Sequence, residues 1–130
     1  MTAHPEGLLQ VAVARYLDVR GLPWFHPANE RRCTPAQGAW LTRMGVKAGV
    51  PDCLIFRPFH KLVPGPAGSG KAMDIQAAGL AIELKAPGGR VSPAQKEWIE
   101  TLTRCGWHVE VCRSIDAVIE IVEWAYGRGR

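Results

Sequence analysis

Residues 80–86 read L-A-I-E-L-K-A, and the two charges inside that apolar run limit what the chain can fold into. A strand has a period of two, so Ala81, Glu83 and Lys85 fall on one face and Leu80, Ile82 and Leu84 on the other. A carboxylate set among Ala, Leu and Ile must face water or have a paired role, because burying an isolated one is costly. A second apolar run, V-P-D-C-L-I-F at 50–56, has the β-branched character of a strand and carries Asp52 at its mouth. If the two strands pair, two acids and a lysine come within reach of one small volume.

The other elements follow from periodicity and capping chemistry. Segment 6–17 places Leu8, Leu9, Ala12, Val13, Tyr16 and Leu17 on one helical face, with Glu6 in the first turn, where a carboxylate suits the helix dipole. L-P-W-F-H-P at 22–27 reads as a short extended piece. T-P-A-Q at 34–37 and S-P-A-Q at 92–95 are two helix starts of one design: Thr or Ser as cap, Pro in the first turn, Gln at the capping-box position. Gly45 and Gly106 are the matching stops, and Trp98 and Leu102 point to the buried side of the second of these helices. W-H-V-E-V-C-R at 107–113 is a strand, and a closing helix carries Ile115, Val118, Ile119 and Val122 on one stripe. The order α, α, β, β, α, β, α predicts a mixed α/β or α+β fold.

Composition narrows the setting. With 130 residues, 47% apolar and 22% charged, the chain is expected to form one globular domain. No apolar run approaches the roughly 20 residues needed to span a bilayer, and the N-terminus has no basic segment leading into an apolar one, which predicts a cytosolic protein without a membrane partner. Cys33, Cys53, Cys105 and Cys112 are scattered without zinc spacing and read as buried, reduced thiols. The net charge of +4 favours a polyanionic partner.

Residues 65–71 spell G-x-x-x-x-G-K, a phosphate-binding pattern that ends at Ala72 where Ser or Thr is required. A working loop of that kind follows a buried strand and opens a helix. Here two prolines, His60 and Lys61 precede it and a short segment ending at Gly79 follows, so no nucleotide cofactor is expected. The Pro, Gly, Ser and Ala content of 57–79 predicts a long loop or a flexible hairpin tip, with Lys61 and Lys71 free to meet phosphates.

Two carboxylates suit Mg²⁺ or Mn²⁺, which keeps several waters and also binds phosphate oxygens. A lysine beside them can hold the attacking water or the phosphate, and the implied reaction is phosphodiester hydrolysis. G-V-P-D-C-L-I-F, followed by the segment from G-L-A-I-E-L-K-A-P to S-P-A-Q-K-E-W-I-E, resembles the PD-(D/E)xK nuclease motif and, more narrowly, the VRR-NUC domain. The resemblance implies a central mixed sheet flanked by helices. It makes Asp52, Glu83 and the backbone carbonyl of Leu84 metal ligands, Lys85 the water-positioning lysine, Gln95 an active-site residue and Glu6 an acidic contributor, with Gln10 one turn further on. Gln95 fits its capping box equally well. Stand-alone members are similar to Holliday junction resolvases acting as homodimers, so the expected activity is metal-dependent endonucleolytic cleavage of branched DNA. Arg31, Arg32, Arg43, Lys47, Arg90 and Lys96 lie near the motifs and are candidate phosphate contacts. Competing readings are a nucleic-acid-binding module that does not cut, a monomeric flap or nicking nuclease, and a nucleotide hydrolase, the last resting on 65–71 alone.

Overall fold

A computed structural model describes residues 5–27 and 34–129. In chain order these form α1 (Pro5–Val19), β1 (Trp24–Phe25), α2 (Pro35–Arg43), β2 (Cys53–Ile55), β3 (Phe59–Pro64), β4 (Ala72–Ala77), β5 (Leu80–Leu84), α3 (Pro93–Arg104), β6 (His108–Cys112) and α4 (Ile115–Tyr126). The main sheet runs β1-β2-β5-β6. Its first two pairings are antiparallel and the last, β5 with β6, is parallel, with α3 as the crossover. The expected mixed sheet flanked by helices is the fold observed.

One face of that sheet makes the core. Cys53 and Ile55 of β2, Leu80, Ile82 and Leu84 of β5, and Cys112 of β6 pack against Val13 and Leu17 of α1 and Val118 and Val122 of α4. Each fully buried aliphatic side chain here stabilises the fold by roughly 1.5–3 kcal/mol. The buried stripe of α1 is narrower than its apolar periodicity predicts: Leu9, Val13, Tyr16 and Leu17 face the core, whereas Leu8 is 60% exposed. The helix carries more apolar residues than one sheet face can cover.

Both capping boxes are present as read. Thr34 and Ser92 each accept a hydrogen bond from the backbone N–H of the Gln three residues on, and that Gln side chain accepts from the cap backbone N–H. The two helices differ in what they then cover. No residue of α2 is buried and Trp40 is exposed, while α3 lays Trp98, Ile99 and Leu102, each half-buried, against the second face of the sheet.

Segment 57–79 is not a loop over most of its length. β3 and β4 pair antiparallel through six residue pairs as a separate two-stranded hairpin, with its tip closed by a Gly65 N–H to Lys71 carbonyl bond of 2.8 Å. The hairpin is anchored near its base, where Phe59 and Ala77 are buried and Phe59 meets Trp124 and Tyr126 edge-on. Its outer residues pair without being covered: Met73, Asp74, Ile75 and Gln76 of β4 alternate as in a half-buried strand, yet Met73 is 44% and Ile75 38% exposed. The G-x-x-x-x-G-K pattern forms this tip, with a strand on each side and no helix after Lys71, which removes its phosphate-cradling geometry. Lys61 is not free either, because its Nζ donates to His108 Nδ1 at 2.8 Å. Replacing residues 64–72 with a short Gly/Ser turn is expected to leave a cooperative thermal transition at the wild-type temperature, measured by circular dichroism. A large drop would show that the outer hairpin carries part of the core.

Cys53 and Cys112 are buried free thiols, as expected, but Cys105 is exposed because it caps the C-terminus of α3 at the surface. Cys33, Arg31 and Arg32 lie outside the described residues.

Candidate active site

The site is built by register. In the β2/β5 pairing Cys53 stands opposite Ile82 and Leu54 opposite Ala81, so one step further along places Asp52 opposite Glu83. Asp52 Oδ2 accepts a hydrogen bond from the Leu84 N–H at 2.8 Å, which fixes its carboxylate at the end of the sheet. His26 Nδ1 holds the Asp52 backbone from the other side, donating to its carbonyl at 2.6 Å.

Glu83 and Lys85 share the second face, and both are buried, with 2% and 8% of their surface exposed. Their charges are separated by 4.0 Å, from Lys85 Nζ to Glu83 Oε1. The same Oε1 accepts a hydrogen bond of 2.9 Å from Gln95 Nε2. Gln95 therefore uses both ends of its amide: Oε1 closes the cap of α3 by accepting from the Ser92 N–H at 2.8 Å, and Nε2 reaches Glu83. One rotamer thus closes the capping box and contacts Glu83. Its position depends on Gly49, whose φ is +86° and where an added Cβ would stand 2.6–2.8 Å from the backbone of Ala94 and Gln95. Only glycine lets the loop before β2 pass this close to the start of α3.

Electrostatics set Glu83 apart. Burial, then the neighbouring Asp52 charge, push its pKa up to about 8, against a smaller lowering by Lys85. Cys53, next in sequence to Asp52, is pushed up to about 12, chiefly by burial, and stays a neutral thiol.

Glu6 lies at the rim of this group, where its Oε1 accepts a hydrogen bond of 3.2 Å from the Ala86 N–H just beyond Lys85. Gln10, one turn along α1, donates to Cys53 Sγ at 3.7 Å, and its Oε1 is buried without a partner. Among the described residues no three His, Cys, Asp or Glu side chains converge closely enough to hold a metal ion. A divalent ion here would need the Asp52 and Glu83 carboxylates supplemented by backbone oxygen and water. The donor set fits such an ion: Glu83 Oε2 is buried with no hydrogen-bond partner, and two crowded carboxylates are a charge arrangement that a cation relieves.

Of the candidate phosphate contacts, Arg90 and Lys96 are exposed on either side of the α3 N-terminus. Lys47 is exposed and lines a small cavity with Ala94, Glu97 and Trp98 of that helix. Arg43 lies over the exposed Trp40 ring at 5.5 Å, on a helix with no buried residue. Two residues at the site were not legible in the sequence, His26 and Arg113. Arg113 Nη1 donates to the carbonyls of Ala86 at 3.0 Å and Gly89 at 2.7 Å. Both act on backbone carbonyls of loops, a partnership with no sequence pattern.

A mixed sheet flanked by helices, with two acids and a lysine at one end, is the arrangement that the resemblance to the PD-(D/E)xK motif implies. A model of the VRR-NUC domain family matches residues 4–116, and the chain belongs to that family. A nuclease-type function follows from this membership. A solved structure described as a VRR_NUC domain protein is similar to the chain with a TM-score of 0.68 and 26% sequence identity, covering 99% of this chain and 93% of the other. Comparison with curated proteins gives no match.

Proposed function

We propose that the protein is an Mg²⁺- or Mn²⁺-dependent DNA endonuclease that cuts branched DNA such as four-way junctions. The observation that carries the reading is the buried pair Glu83 and Lys85, bracketed by the half-buried Asp52 and Gln95, with one Glu83 oxygen left unpartnered. A chain that only bound nucleic acid would gain nothing from placing a carboxylate where its ionisation is opposed.

In this reading Asp52, Glu83 and the Leu84 carbonyl hold the divalent ion, and Glu6 contributes from the rim. When bound, the ion supplies a more acidic water and stabilises charge on the phosphoryl group. The chain's own residues do the positioning. Lys85 donates hydrogen bonds to the attacking water or a phosphoryl oxygen, and burial keeps competing water away from its ammonium. Gln95 fixes the Glu83 carboxylate so that Oε2 is the oxygen left for the ion. Water adds at phosphorus, the bond to the leaving oxygen breaks, and that oxygen takes up a proton. Arg43, Lys47, Arg90 and Lys96 meet backbone phosphates, a role that the sequence also offers Arg31 and Arg32, which lie outside the described residues.

Symmetric resolution of a four-way junction needs two sites related by a two-fold axis, so the active form is a homodimer. The test incubates the purified chain with four-way junction, flap, single-stranded and duplex DNA in Mg²⁺, Mn²⁺ or EDTA, with light scattering of the same sample. Paired nicks in the junction, absent in EDTA, from a particle of twice the monomer mass are expected. A monomer that cuts flaps and spares junctions would replace this reading with a flap nuclease. Lys71→Ala should leave cleavage unchanged, since the hairpin tip lacks a phosphate-cradling geometry.

A further inference from the structure

We infer that Arg113 is a substrate-binding residue of this site: its guanidinium, fixed by the loop after β5, receives a backbone phosphate of the nucleic acid beside Lys85. The inference rests on the nuclease reading and adds to it a residue that lies outside the E-x-K motif.

Placement comes first. Leu84 stands beside Cys112 in the parallel β5/β6 ladder, and the Lys85 N–H donates to the Cys112 carbonyl at 3.0 Å. Arg113, the next residue, is therefore alongside Lys85 in a neighbouring chain segment, and strands in a ladder are about 4.8 Å apart. Lys85 and Arg113 leave the sheet at the same end as Asp52 and Glu83.

The hydrogen bonds then say how the side chain is held. A single nitrogen, Nη1, donates to both the Ala86 and Gly89 carbonyls. Ala86 is also the residue whose N–H is taken by Glu6, and the Gly89 N–H bonds back to the Ala86 carbonyl at 2.9 Å. The guanidinium is thus tied to a closed turn that is itself tied to α1. Two bonds from one nitrogen fix the plane of the group and leave Nε and Nη2 without a hydrogen-bond partner among the described residues. Arg113 is exposed, and no carboxylate among the described residues lies within 4 Å of it. An uncompensated guanidinium on an exposed residue, held by Nη1 with Nε and Nη2 unpartnered among the described residues, has donors available to take a phosphate through paired N–H bonds.

A structural clasp alone would not need the positive charge, and that difference makes the test. Arg113→Gln removes the charge but keeps an amide N–H for the carbonyls, whereas Arg113→Lys keeps the charge. Binding of each full-length variant to labelled four-way junction is measured in EDTA across about 50–200 mM salt, the range in which phosphate contacts dominate affinity. Circular dichroism confirms folding, and Mn²⁺ affinity is titrated separately. Arg113→Gln should lower the slope of log affinity against log salt by about 0.9, the value for one lost phosphate contact. Arg113→Lys should retain the wild-type slope. An unchanged slope in folded Arg113→Gln would overturn the inference, whether or not Mn²⁺ affinity falls, because that outcome describes a clasp only. Wild-type protein that neither binds nor cuts DNA would fail the nuclease reading itself, a result distinguishable from failure at Arg113.

Discussion

Glu83→Gln and Asp52→Asn will each remove metal-dependent cleavage while leaving the chain folded. Each variant keeps the shape of the side chain and takes away the charge that a divalent ion requires. Asp52 Oδ2 also orients through the Leu84 N–H, a bond that Asn can still accept, so the loss reports on the ion rather than on the sheet. Lys85→Ala behaves differently. Removal of one preorganised donor aimed at developing charge costs about 10²–10³ in kcat. Without the ammonium 4.0 Å away, Glu83 also ionises less readily, so part of the Lys85→Ala defect should be recovered at higher pH or higher Mn²⁺. Single-turnover cleavage with Mn²⁺ titration separates the two effects. Wild-type rates in either carboxylate variant would mean that the reaction centre lies elsewhere in the chain.

The second large effect is on pH dependence, and its sign is fixed by the raised pKa of Glu83, about 8 in the folded chain against an ordinary value near 4.5. Below pH 4.5 the group is neutral in both states and opposes nothing. Between 4.5 and 8 the unfolded chain releases the proton and the folded chain retains it, so stability falls as pH rises. Above 8 the penalty is complete, on the order of 3–5 kcal/mol for a shift of this size. Glu83→Gln mimics the protonated acid, so it should melt several degrees above wild type at pH 8.5 without metal and at the same temperature as wild type near pH 4. Added Mn²⁺ should reverse the order by stabilising only the wild type. Metal affinity should rise by about tenfold per pH unit up to about pH 8, because binding must displace that proton. A wild-type melting temperature that is flat from pH 5 to 8.5 would show that Glu83 ionises normally.

The placement of the candidate site residues was legible in the sequence to the extent that it depends on strand period and helix capping. Asp52, Glu83 and Lys85 are separated by more than thirty positions from end to end, yet the apolar runs around them fix which face each charge takes. The cap signals of α2 and α3 are short-range chemistry and are realised in full. The segment at 57–79 was legible only as a loop or a hairpin tip, because the Pro, Gly and Ser of its turn outweigh the alternation of Met73, Asp74, Ile75 and Gln76 in a strand that pairs without burying. His26 and Arg113 escaped for another reason: a side chain that grips a carbonyl is found only once the loop has been folded. The width of the α1 stripe was overread because a helix can carry apolar residues beyond the face its neighbours cover.

The twin capping boxes make the chain its own control. Gln37 and Gln95 occupy the same position in nearly the same tetrapeptide, and only Gln95 has a second partner. Glutamate closes a capping box as well as glutamine does, so descendants of this sequence can exchange the two freely at 37. At 95 a carboxylate would turn a donor toward Glu83 into a third negative charge beside a pair already in conflict. A neutral drift of one atom at the surface helix is thus a disturbance at the other, and the amide at 95 ties the option to start α3 with glutamate to the hydrogen bond that holds Glu83.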